Sequence, residues 1–369
     1  MMTHRDRINA AFDRRRCDRI PFGELVIDNR CAEAVLGRPT SVHNVPLWLD
    51  RMSEGDWDGL VAEEAEDRIE LALEAGVDWV SVDRNYSRNY RPVKTGENRW
   101  IQGDTVITND PHTRIVTYSS EGPCDLDKYA EQVLRAEPPR GIDDSTFEVI
   151  RRIRRRLEEM ELDVPLVMRN YTMSVQSHLE LLAAYPESAL AHFRLQTSTA
   201  ILMGEAAAAN EISVVGVGGH VGANRTSMIS DEHYRRFLLP GIQRQVDAFH
   251  AKGTKVYIGS GGCIWPIAQA FLLDSGADAY AGMDTYAGMD LARLRDEYGD
   301  RLCLIGGVDS VHTLSRGTER DVRDETLSVL ELFKDHPGFI LASSNSVHND
   351  VPPGNFLAML SAYRDFHGL

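Results

Sequence analysis

Apolar runs recur along the second half of the chain, and each one ends in a turn of small or polar residues. The runs are mostly aliphatic or aromatic and lack regular polar alternation; they occupy residues 212–217, 254–258, 277–282, 302–305 and 339–342. Near-continuous apolar runs are typical of strands that are buried on both faces of a sheet. Because a longer amphipathic stretch follows each run, the pattern predicts parallel strands covered by helices.

Three further strands are predicted in the first half, at residues 22–27, 79–82 and 166–168. Between the last two, residues 100–107 and 113–119 are predicted to form an antiparallel hairpin across a turn at 109–111. Eight strands that alternate with helical patterns describe a single (β/α)8 TIM barrel. We therefore expect an α/β fold with one domain over residues 1–369, in which a β-hairpin insertion after the second strand makes 84–140 a lid region.

The clearest helix start follows the fourth predicted strand. Ser230 has the side chain of an N-cap, acids fill the next turn, and the helical pattern then runs over residues 234–250. Pro240 lies inside this stretch and is predicted to kink or divide the helix, since it lacks a backbone N–H.

Composition and charge narrow the possible partners. The chain has 369 residues, is 43% hydrophobic and carries a formal net charge of -16. This excess of acid repels phosphate backbones and anionic lipid, so we expect no nucleic acid and no membrane among the partners. The N-terminal stretch is too charged for a signal peptide and no apolar run reaches membrane-spanning length, which predicts a cytoplasmic protein.

The five cysteines are an odd number at scattered positions, and none forms a Cys-x-x-Cys pair. A disulfide framework or a zinc ribbon is therefore not predicted. Cys263 lies in a strand-end turn and is the one cysteine placed for chemistry.

Several segments together resemble the uroporphyrinogen decarboxylase superfamily. They are residues 18–21, 218–224 with 228–230, 255–257, 259–263, 282–284, 306–309 and 350–355. The resemblance spans nearly the whole chain and implies a (β/α)8 barrel enzyme that forms a homodimer. It is less specific for the reaction, because the superfamily contains both porphyrinogen decarboxylases and cobalamin-linked methyltransferases.

Two departures argue against decarboxylation of uroporphyrinogen itself. The decarboxylases hold substrate carboxylates with an arginine-rich turn after the first strand, where this chain has Asp28. They also place a histidine after the last strand, where this chain has Asn345, which cannot carry a charge. Asp83 does match their aspartate after the second strand. The chain thus resembles the cobalamin-dependent methyltransferase branch more closely.

The resemblance also has a consequence for metal binding. Zinc-dependent methyltransferases of the superfamily place ligands at positions that correspond to Gly259, Gly261 and a residue near Asn345. Glycine has no donor side chain, so zinc is not expected at the usual place and no metal ligand is predicted. Convergence of His220, Cys263 and His348 on an atypical metal is the alternative; otherwise the two histidines serve as hydrogen-bonding groups at the barrel mouth.

Candidate site residues follow from the rule that ligands bind at the carboxyl ends of parallel strands. We expect Asp83 and His220 to be catalytic. Burial at the end of an apolar strand would raise the pKa of Asp83, and an ion pair with Arg84 or Arg169 is the alternative. Asp309 is expected to cap the next helix. The expected substrate-binding residues are Tyr86, Arg169, Asn170, Tyr171, Asn224, Ser260, Cys263, Asp284, Asn345 and His348.

This polar, mixed set suits a small uncharged or singly anionic molecule that gains or loses a proton. The favoured hypothesis is the methyltransferase component of a corrinoid-dependent system, which moves a methyl group between a methylated compound, such as a methoxylated one, and a corrinoid protein. No tightly bound cofactor is expected, because the corrinoid (cobalamin) belongs to the partner protein. Two alternatives remain, a decarboxylase of another small carboxylated substrate and a non-catalytic ligand-binding barrel.

Overall fold

The computed structural model describes residues 2–83, 86–120, 125–173, 175 and 178–369. Its strands, numbered in chain order, are β1 (Val80–Val82), β2 (Val93–Gly96), β3 (Arg99–Gln102), β4 (Thr105–Asn109), β5 (Val116–Ser120), β6 (Leu166–Arg169), β7 (Val214–Gly218), β8 (Lys255–Gly259), β9 (Ala279–Ala281), β10 (Cys303–Val308) and β11 (Phe339–Ser343). Strands β1 and β6 to β11 form one parallel seven-stranded sheet, whose order in space follows the order along the chain. Strands β7, β9, β10 and β11 are buried throughout, as their apolar runs predict.

Residues 22–27 join the two edges of this sheet, and we call this segment with its contacts to β1 and β11 the seam. Phe22 and Ile27 form isolated parallel bridges to Leu341 and Val347. The carbonyl of Phe22 also accepts a hydrogen bond from the Asp78 backbone N–H, at 2.6 Å, just before β1. The sheet is therefore curled, and the α/β fold is consistent with a TIM-like barrel.

The seam replaces the continuous strand that is predicted for residues 22–27. Side chains take over bonds that a backbone ladder would make: the Trp79 indole donates to the Glu24 carbonyl at 2.8 Å, and the Ser81 hydroxyl donates to the Leu25 carbonyl at 2.5 Å. On the other side the Ser343 backbone N–H donates to the Glu24 carboxylate at 2.7 Å. Polar side chains thus interrupt the ladder in a segment whose pattern looks wholly strand-like.

Helices cover the outside of the sheet and separate its strands. They are α1 (His4–Phe12), α2 (Asn29–Leu36), α3 (Val45–Ser53), α4 (Trp57–Ala75), α5 (Leu126–Arg135), α6 (Glu148–Glu159), α7 (Leu179–Ala184), α8 (Pro186–Ala209), α9 (Asp231–His233), α10 (Leu239–His250), α11 (Leu291–Tyr298), α12 (Thr313–Arg316), α13 (Glu319–Phe333) and α14 (Pro353–His367). Within the described ranges, none of them is both long enough and apolar enough to cross a membrane.

The predictions for the helix after β7 are confirmed. The Ser230 hydroxyl accepts a hydrogen bond from the His233 backbone N–H at 3.2 Å, as an N-cap does. A π-helical turn, Tyr234–Leu238, separates α9 from α10, and Pro240 lies in the first turn of α10. The stretch is divided near Pro240 because proline is tolerated in the first turn of a helix but not in its interior.

Inside the sheet, aromatic and aliphatic side chains form a packed core. Trp79, Tyr257 and Ile305 belong to this cluster, and α1 adds Ile8 and Phe12 to it. Such a core is typical of a filled barrel interior rather than a pore.

The insertion differs from the two-stranded hairpin that the sequence predicts. Strands β2 to β5 form a four-stranded antiparallel sheet, and the predicted strand 100–107 is split between β3 and β4. The split occurs at Gly103, whose φ of 57° allows the tight turn between these strands. Trp100 is buried against Leu49, and its indole donates to Asp50 at 2.8 Å, which fixes this sheet to α3. Part of the predicted lid, residues 84–85 and 121–124, lies outside the described residues.

Candidate functional site

Two cavities lie where the strands of the parallel sheet end. The inner cavity has a volume of about 50 Å³. The side chains and turns that line it come from the seam and from the carboxyl ends of strands: Glu24, Leu25, Val26, Arg169, Tyr171, His220, Ser260, Gly261, Ala281, Gly282, Ile305, Ala342, Ser343, Ser344, Asn345 and Ser346. The outer cavity, of about 650 Å³, lies between residues 28–46, the insertion and residues 348–350.

An ion pair between Asp83 and Arg169 borders the inner cavity. The Nε atom of Arg169 donates to the Asp83 Oδ1 atom at 3.1 Å. Two more basic side chains face the other carboxylate oxygen, His43 at 3.3 Å and Arg68 at 4.0 Å. Since β1 and β6 are adjacent parallel strands, the residues at their carboxyl ends meet.

The two arginines decide the charge of Asp83. Burial alone would raise the pKa of its carboxyl, but the positive charges of Arg169 and Arg68 outweigh burial and leave the pKa below its ordinary value. The expectation of a raised pKa at Asp83 is therefore wrong, and the alternative of an ion pair with Arg169 is what the structure has. Asp83 is a carboxylate at neutral pH and cannot act there as a proton donor.

Glu24 is a site residue that the sequence prediction missed. The residue is only 2% exposed and is among those that line the inner cavity. It also lines a second small cavity together with Arg68 of α4. Burial raises the pKa of its carboxyl to about 7, although hydrogen bonds from Ser343 act in the opposite direction. The signal was present in the sequence, because an acid within an apolar run needs a reason to be there.

His43 is a second residue that the prediction missed. It lines the outer cavity, contacts Asp83 and has a left-handed backbone with φ of 51°, which is uncommon for a residue other than glycine. Burial lowers the pKa of its imidazole to about 3, so the ring is neutral at neutral pH. No motif surrounds His43 in the sequence, and only the fold brings it to the site.

Four of the predicted residues do line the inner cavity besides Arg169: Tyr171, His220, Ser260 and Asn345. The Ser260 hydroxyl accepts hydrogen bonds from the backbone N–H groups of Val221 and Gly222, at 3.2 and 3.3 Å. It therefore connects the turns after β7 and β8. His220 and Asn345 are exposed, whereas burial raises the pKa of Tyr171 to about 12.

The remaining predicted residues do not join this group. Asn170 is buried and donates to the Ala200 carbonyl of α8 at 2.9 Å, and Cys263 is buried in the core. Asn224 is exposed in the turn after β7. Tyr86 lies on the insertion, where its hydroxyl is 2.9 Å from that of Tyr118.

Two aspartates in strand-end turns have bonds of the helix-cap or turn kind. Asp284 accepts from the backbone N–H groups of Gly262 and Ala287. Asp309 accepts from those of Val311 and His312, at 2.6 and 2.8 Å. The expectation that Asp309 caps the next helix is wrong, because His312 lies at the N-cap position of α12; the Asp309 bonds instead hold the turn that precedes this helix.

The outer cavity is acidic. His348 lines it together with Asp28, Glu33 and Asp350. Asp28 accepts from the Asn349 backbone N–H at 3.2 Å, and burial raises the pKa of its carboxyl. The arginine among the lining residues, Arg114, is 3.7 Å from Glu33.

The residues present do not fit a zinc ion at the position that the resemblance implies. A Cβ atom on residue 259 would lie 1.8 Å from the Tyr171 hydroxyl, so this ring occupies the space that a ligand side chain would need. Nor do His220, Cys263 and His348 converge: His220 lines the inner cavity, His348 lines the outer one and Cys263 is in the core. Within the described residues, no group of three or more His, Cys, Asp or Glu is arranged to hold a metal.

Comparison with known proteins gives the family. The family model described as "Uroporphyrinogen decarboxylase (URO-D)" matches residues 129–366. The uroporphyrinogen decarboxylase of Chlorobaculum tepidum is 28% identical over 142 residues, which are 38% of this chain and 39% of that protein. The enzyme of the same name from Chlorobium luteolum is 27% identical over 186 residues, 49% of this chain and 50% of that protein. The chain thus spans half or less of the length of these relatives.

A solved structure, described as a methyltransferase from Methanosarcina mazei, has the same fold over 99% of both chains, with a TM-score of 0.68 and 18% sequence identity. This likeness shows the fold alone. The family model covers well over half of the chain, and the fold agrees with the resemblance drawn from the strand-end turns. The chain belongs to the uroporphyrinogen decarboxylase family.

Proposed function

We propose that this chain is the methyltransferase component of a corrinoid-dependent system, which moves a methyl group between a small methylated compound, such as a methoxylated one, and a corrinoid protein. The proposal rests on the observation that the arginine lining each cavity already has a carboxylate partner. Arg169 pairs with Asp83, and Arg114 faces Glu33. A polycarboxylate porphyrinogen would need unpaired cations, so an uncharged methyl donor suits these linings better.

The sizes of the cavities support a small substrate. The inner cavity, of about 50 Å³, has room for a group the size of one or two water molecules. The outer cavity, of about 650 Å³, is in the range of pockets that bind small organic molecules. A methyl-bearing group therefore suits the inner cavity, whereas a tetrapyrrole is far too large for it.

The proposed roles of this chain's residues are binding, orientation and proton transfer. A reduced corrinoid on the partner protein would be the methyl acceptor. Asp83, as a carboxylate, holds the Arg169 guanidinium in place, so this pair presents a fixed dipole to the substrate. Tyr171 offers a hydroxyl group that can orient the leaving oxygen. Ser260 instead fixes the turns around the cavity, because its hydroxyl donates to the Gly261 carbonyl at 2.8 Å and accepts two backbone bonds. His220 stays a candidate for proton transfer, because its exposed imidazole lines the cavity.

Decarboxylation of another small acid is the second candidate, and the names of the sequence relatives favour it. Arg169 would then bind the substrate carboxylate, which requires competition with Asp83 for the guanidinium. We rank this function lower, because either Asp83 or the substrate carboxylate would then lack a cationic partner in a buried site.

The proposal is tested by methyl transfer to free cobalamin, reduced to the cob(I) state, with a panel of methoxylated aromatics and methylated amines as donors. We expect the absorbance of reduced cobalamin to fall and that of methylcobalamin to rise, only when the protein and one class of donor are both present. Asp83→Asn should retain the fold and lose most of this rate, because the neutral amide no longer fixes Arg169.

Two results would contradict the proposal. One is the absence of methyl transfer from every donor by protein that unfolds cooperatively. The other is release of CO2 from a carboxylated aromatic compound at a rate that Arg169→Met abolishes, which would favour the decarboxylase.

A further inference from the structure

We propose that the Arg169 guanidinium and the Tyr171 hydroxyl together form an oxyanion site in the inner cavity, and that this site takes the oxygen of a phenolate. The inference rests on the proposed function and narrows its substrate to aryl methyl ethers, from which a phenolate leaves. Methylated amines and aliphatic ethers are then poor methyl donors.

Strand alternation places the Arg169 side chain inside the barrel. Val167, two residues earlier on β6, belongs to the packed interior cluster, and side chains two apart on a strand point to the same face. The inner cavity lies against that cluster, because Ala281, Ile305 and Ala342 line the cavity and also belong to the cluster. Arg169 therefore extends over the interior core at the carboxyl ends of the strands.

The Tyr171 hydroxyl reaches the same interior. Tyr257 of β8 belongs to the interior cluster, so Gly259, two residues later, also faces inwards. A Cβ atom on Gly259 would lie 1.8 Å from the Tyr171 hydroxyl oxygen, which places this oxygen inside the barrel. The Tyr171 ring packs edge-on against the Tyr257 ring, with 6.0 Å between the ring centroids.

The Arg169 guanidinium keeps one edge for a ligand. Its Nε and Nη2 atoms lie 3.1 and 3.0 Å from the same Asp83 oxygen, and this pair fixes the orientation of the guanidinium. The Nη1 atom has no hydrogen bond or ion pair to any residue that the structure describes. Since Asp83 already balances the charge, the remaining edge suits a single oxygen anion rather than a polycarboxylate.

Tyr257 supports the Tyr171 hydroxyl from behind. The Tyr257 side chain is 0% exposed, and its hydroxyl lacks a well-formed hydrogen bond within the described ranges. Buried hydroxyl groups without partners are uncommon and call for an explanation. Burial raises the pKa of Tyr171, whereas the neighbouring Tyr257 hydroxyl acts to lower it. When Tyr171 donates its proton to a bound oxygen, Tyr257 can donate to the Tyr171 oxygen, and the two bonds strengthen each other.

These donors select the leaving group. A phenolate oxygen is an anion of moderate basicity, since a phenol has an ordinary pKa of about 10, and it accepts hydrogen bonds from both donors. An aliphatic alkoxide is far more basic and needs a complete proton rather than a hydrogen bond. A methylated ammonium ion has no lone pair to accept a bond, and the charge of Arg169 repels it.

The methyl transfer balances without an added acid. The bond between the methyl carbon and the aryl oxygen breaks, and its electron pair stays on the oxygen, which becomes a phenolate held by Arg169 and Tyr171. The methyl carbon forms its new bond with the electron pair of the reduced corrinoid on the partner protein, whose metal is formally oxidised by two electrons. The phenolate takes a proton from water after it leaves the site.

Binding of 4-nitrophenol tests the oxyanion site without a corrinoid, because its phenolate is coloured and its ionisation can be followed against pH. We expect bound 4-nitrophenol to ionise about one pH unit or more below the free compound, since charge-assisted hydrogen bonds favour the anion. Tyr171→Phe keeps the ring beside Gly259 and should lose much of this shift. Tyr298→Phe, on the outer helix α11, is the matched control and should keep it. Phenol should displace the bound compound, and dimethylammonium should not.

Methyl transfer from substituted methoxybenzenes to cob(I)alamin tests the catalytic role of Tyr171. We expect Tyr171→Phe to lose a factor of about 100 or more in rate with unactivated ethers, the usual effect of removing one oxyanion donor. The loss should shrink as electron-withdrawing substituents stabilise the leaving phenolate. Tyr257→Phe should show a smaller loss with the same trend, because Tyr257 is a positioning residue that acts through Tyr171.

The outcomes separate this inference from the proposed function. No binding of 4-nitrophenol, or an equal shift in wild type and Tyr171→Phe, would overturn the oxyanion site even when methyl transfer occurs. Faster transfer from methylated amines than from methoxybenzenes would overturn the substrate class. A clear shift in wild type without methyl transfer from any donor would overturn the proposed function and leave the oxyanion site as a binding site for phenolates.

Discussion

At the scale of single residues, the Asp83–Arg169 pair shows how context sets the behaviour of an acid. Asp83 ends an apolar strand, and burial there favours a raised pKa. The charge of Arg169 on the adjacent strand instead lowers the pKa of Asp83 below its ordinary value. We predict a coupling of about 1 to 3 kcal/mol in the double-mutant cycle of Asp83→Asn and Arg169→Met, since the pair is largely buried. Urea unfolding of the four proteins measures it; additive single effects would show that the pair is screened by solvent.

Glu24 gives a prediction for stability against pH. Its pKa in the folded protein is about 7, above the ordinary value of 4.5. The folded state therefore binds more protons than the unfolded state between these values, and the free energy of unfolding falls as pH rises through them. Wild type should lose about 3 kcal/mol more than Glu24→Gln between pH 5 and pH 8. Parallel curves of unfolding free energy for the two proteins would show that the carboxyl is not shifted.

Gly259 leads to a prediction about side-chain packing and stability. Its missing side chain makes room for the Tyr171 hydroxyl, which would lie 1.8 Å from a Cβ atom. Gly259→Ala should cost about 1 to 3 kcal/mol, the usual effect of overpacking. The same substitution in a Tyr171→Ala background should cost much less, because the ring is gone. Thermal unfolding of the four proteins decides this, and an equal cost in both backgrounds would mean that the backbone of β8 is strained instead.

At the scale of elements, the inserted sheet is attached to the rest of the molecule through α3, whose Leu49 packs on Trp100 and Ile107. Trp100 is 1% exposed and bonds to Asp50 of α3. Trp100→Ala should therefore loosen the insertion and leave the parallel sheet intact. In hydrogen exchange we expect faster exchange of β3 and β4 amides and unchanged protection in β7 and β8. Loss of protection in all four strands would indicate that the insertion and the barrel unfold as one unit.

At the scale of the whole molecule, the sequence predicts the parallel strands well, because burial on both faces leaves a continuous apolar signal. The four-stranded insertion is less predictable, since exposed strands such as β2 carry no burial pattern. The site was predicted in part. Arg169, Tyr171 and Ser260 follow from the rule for strand ends, whereas Asn170 turns towards α8. His43 reaches the site through a loop far away in sequence, which no local pattern reveals.

The seam also affects how this barrel can change during evolution. Elsewhere the strands are joined by backbone hydrogen bonds, which almost any substitution preserves. Between residues 22–27 and β11 the joint includes hydrogen bonds of the Glu24 and Ser343 side chains, and both residues are among those that line the inner cavity. A single substitution there alters barrel closure and cavity chemistry together. New reactions within the family are therefore most accessible through the seam, and variants that acquire them should show altered stability in the same step.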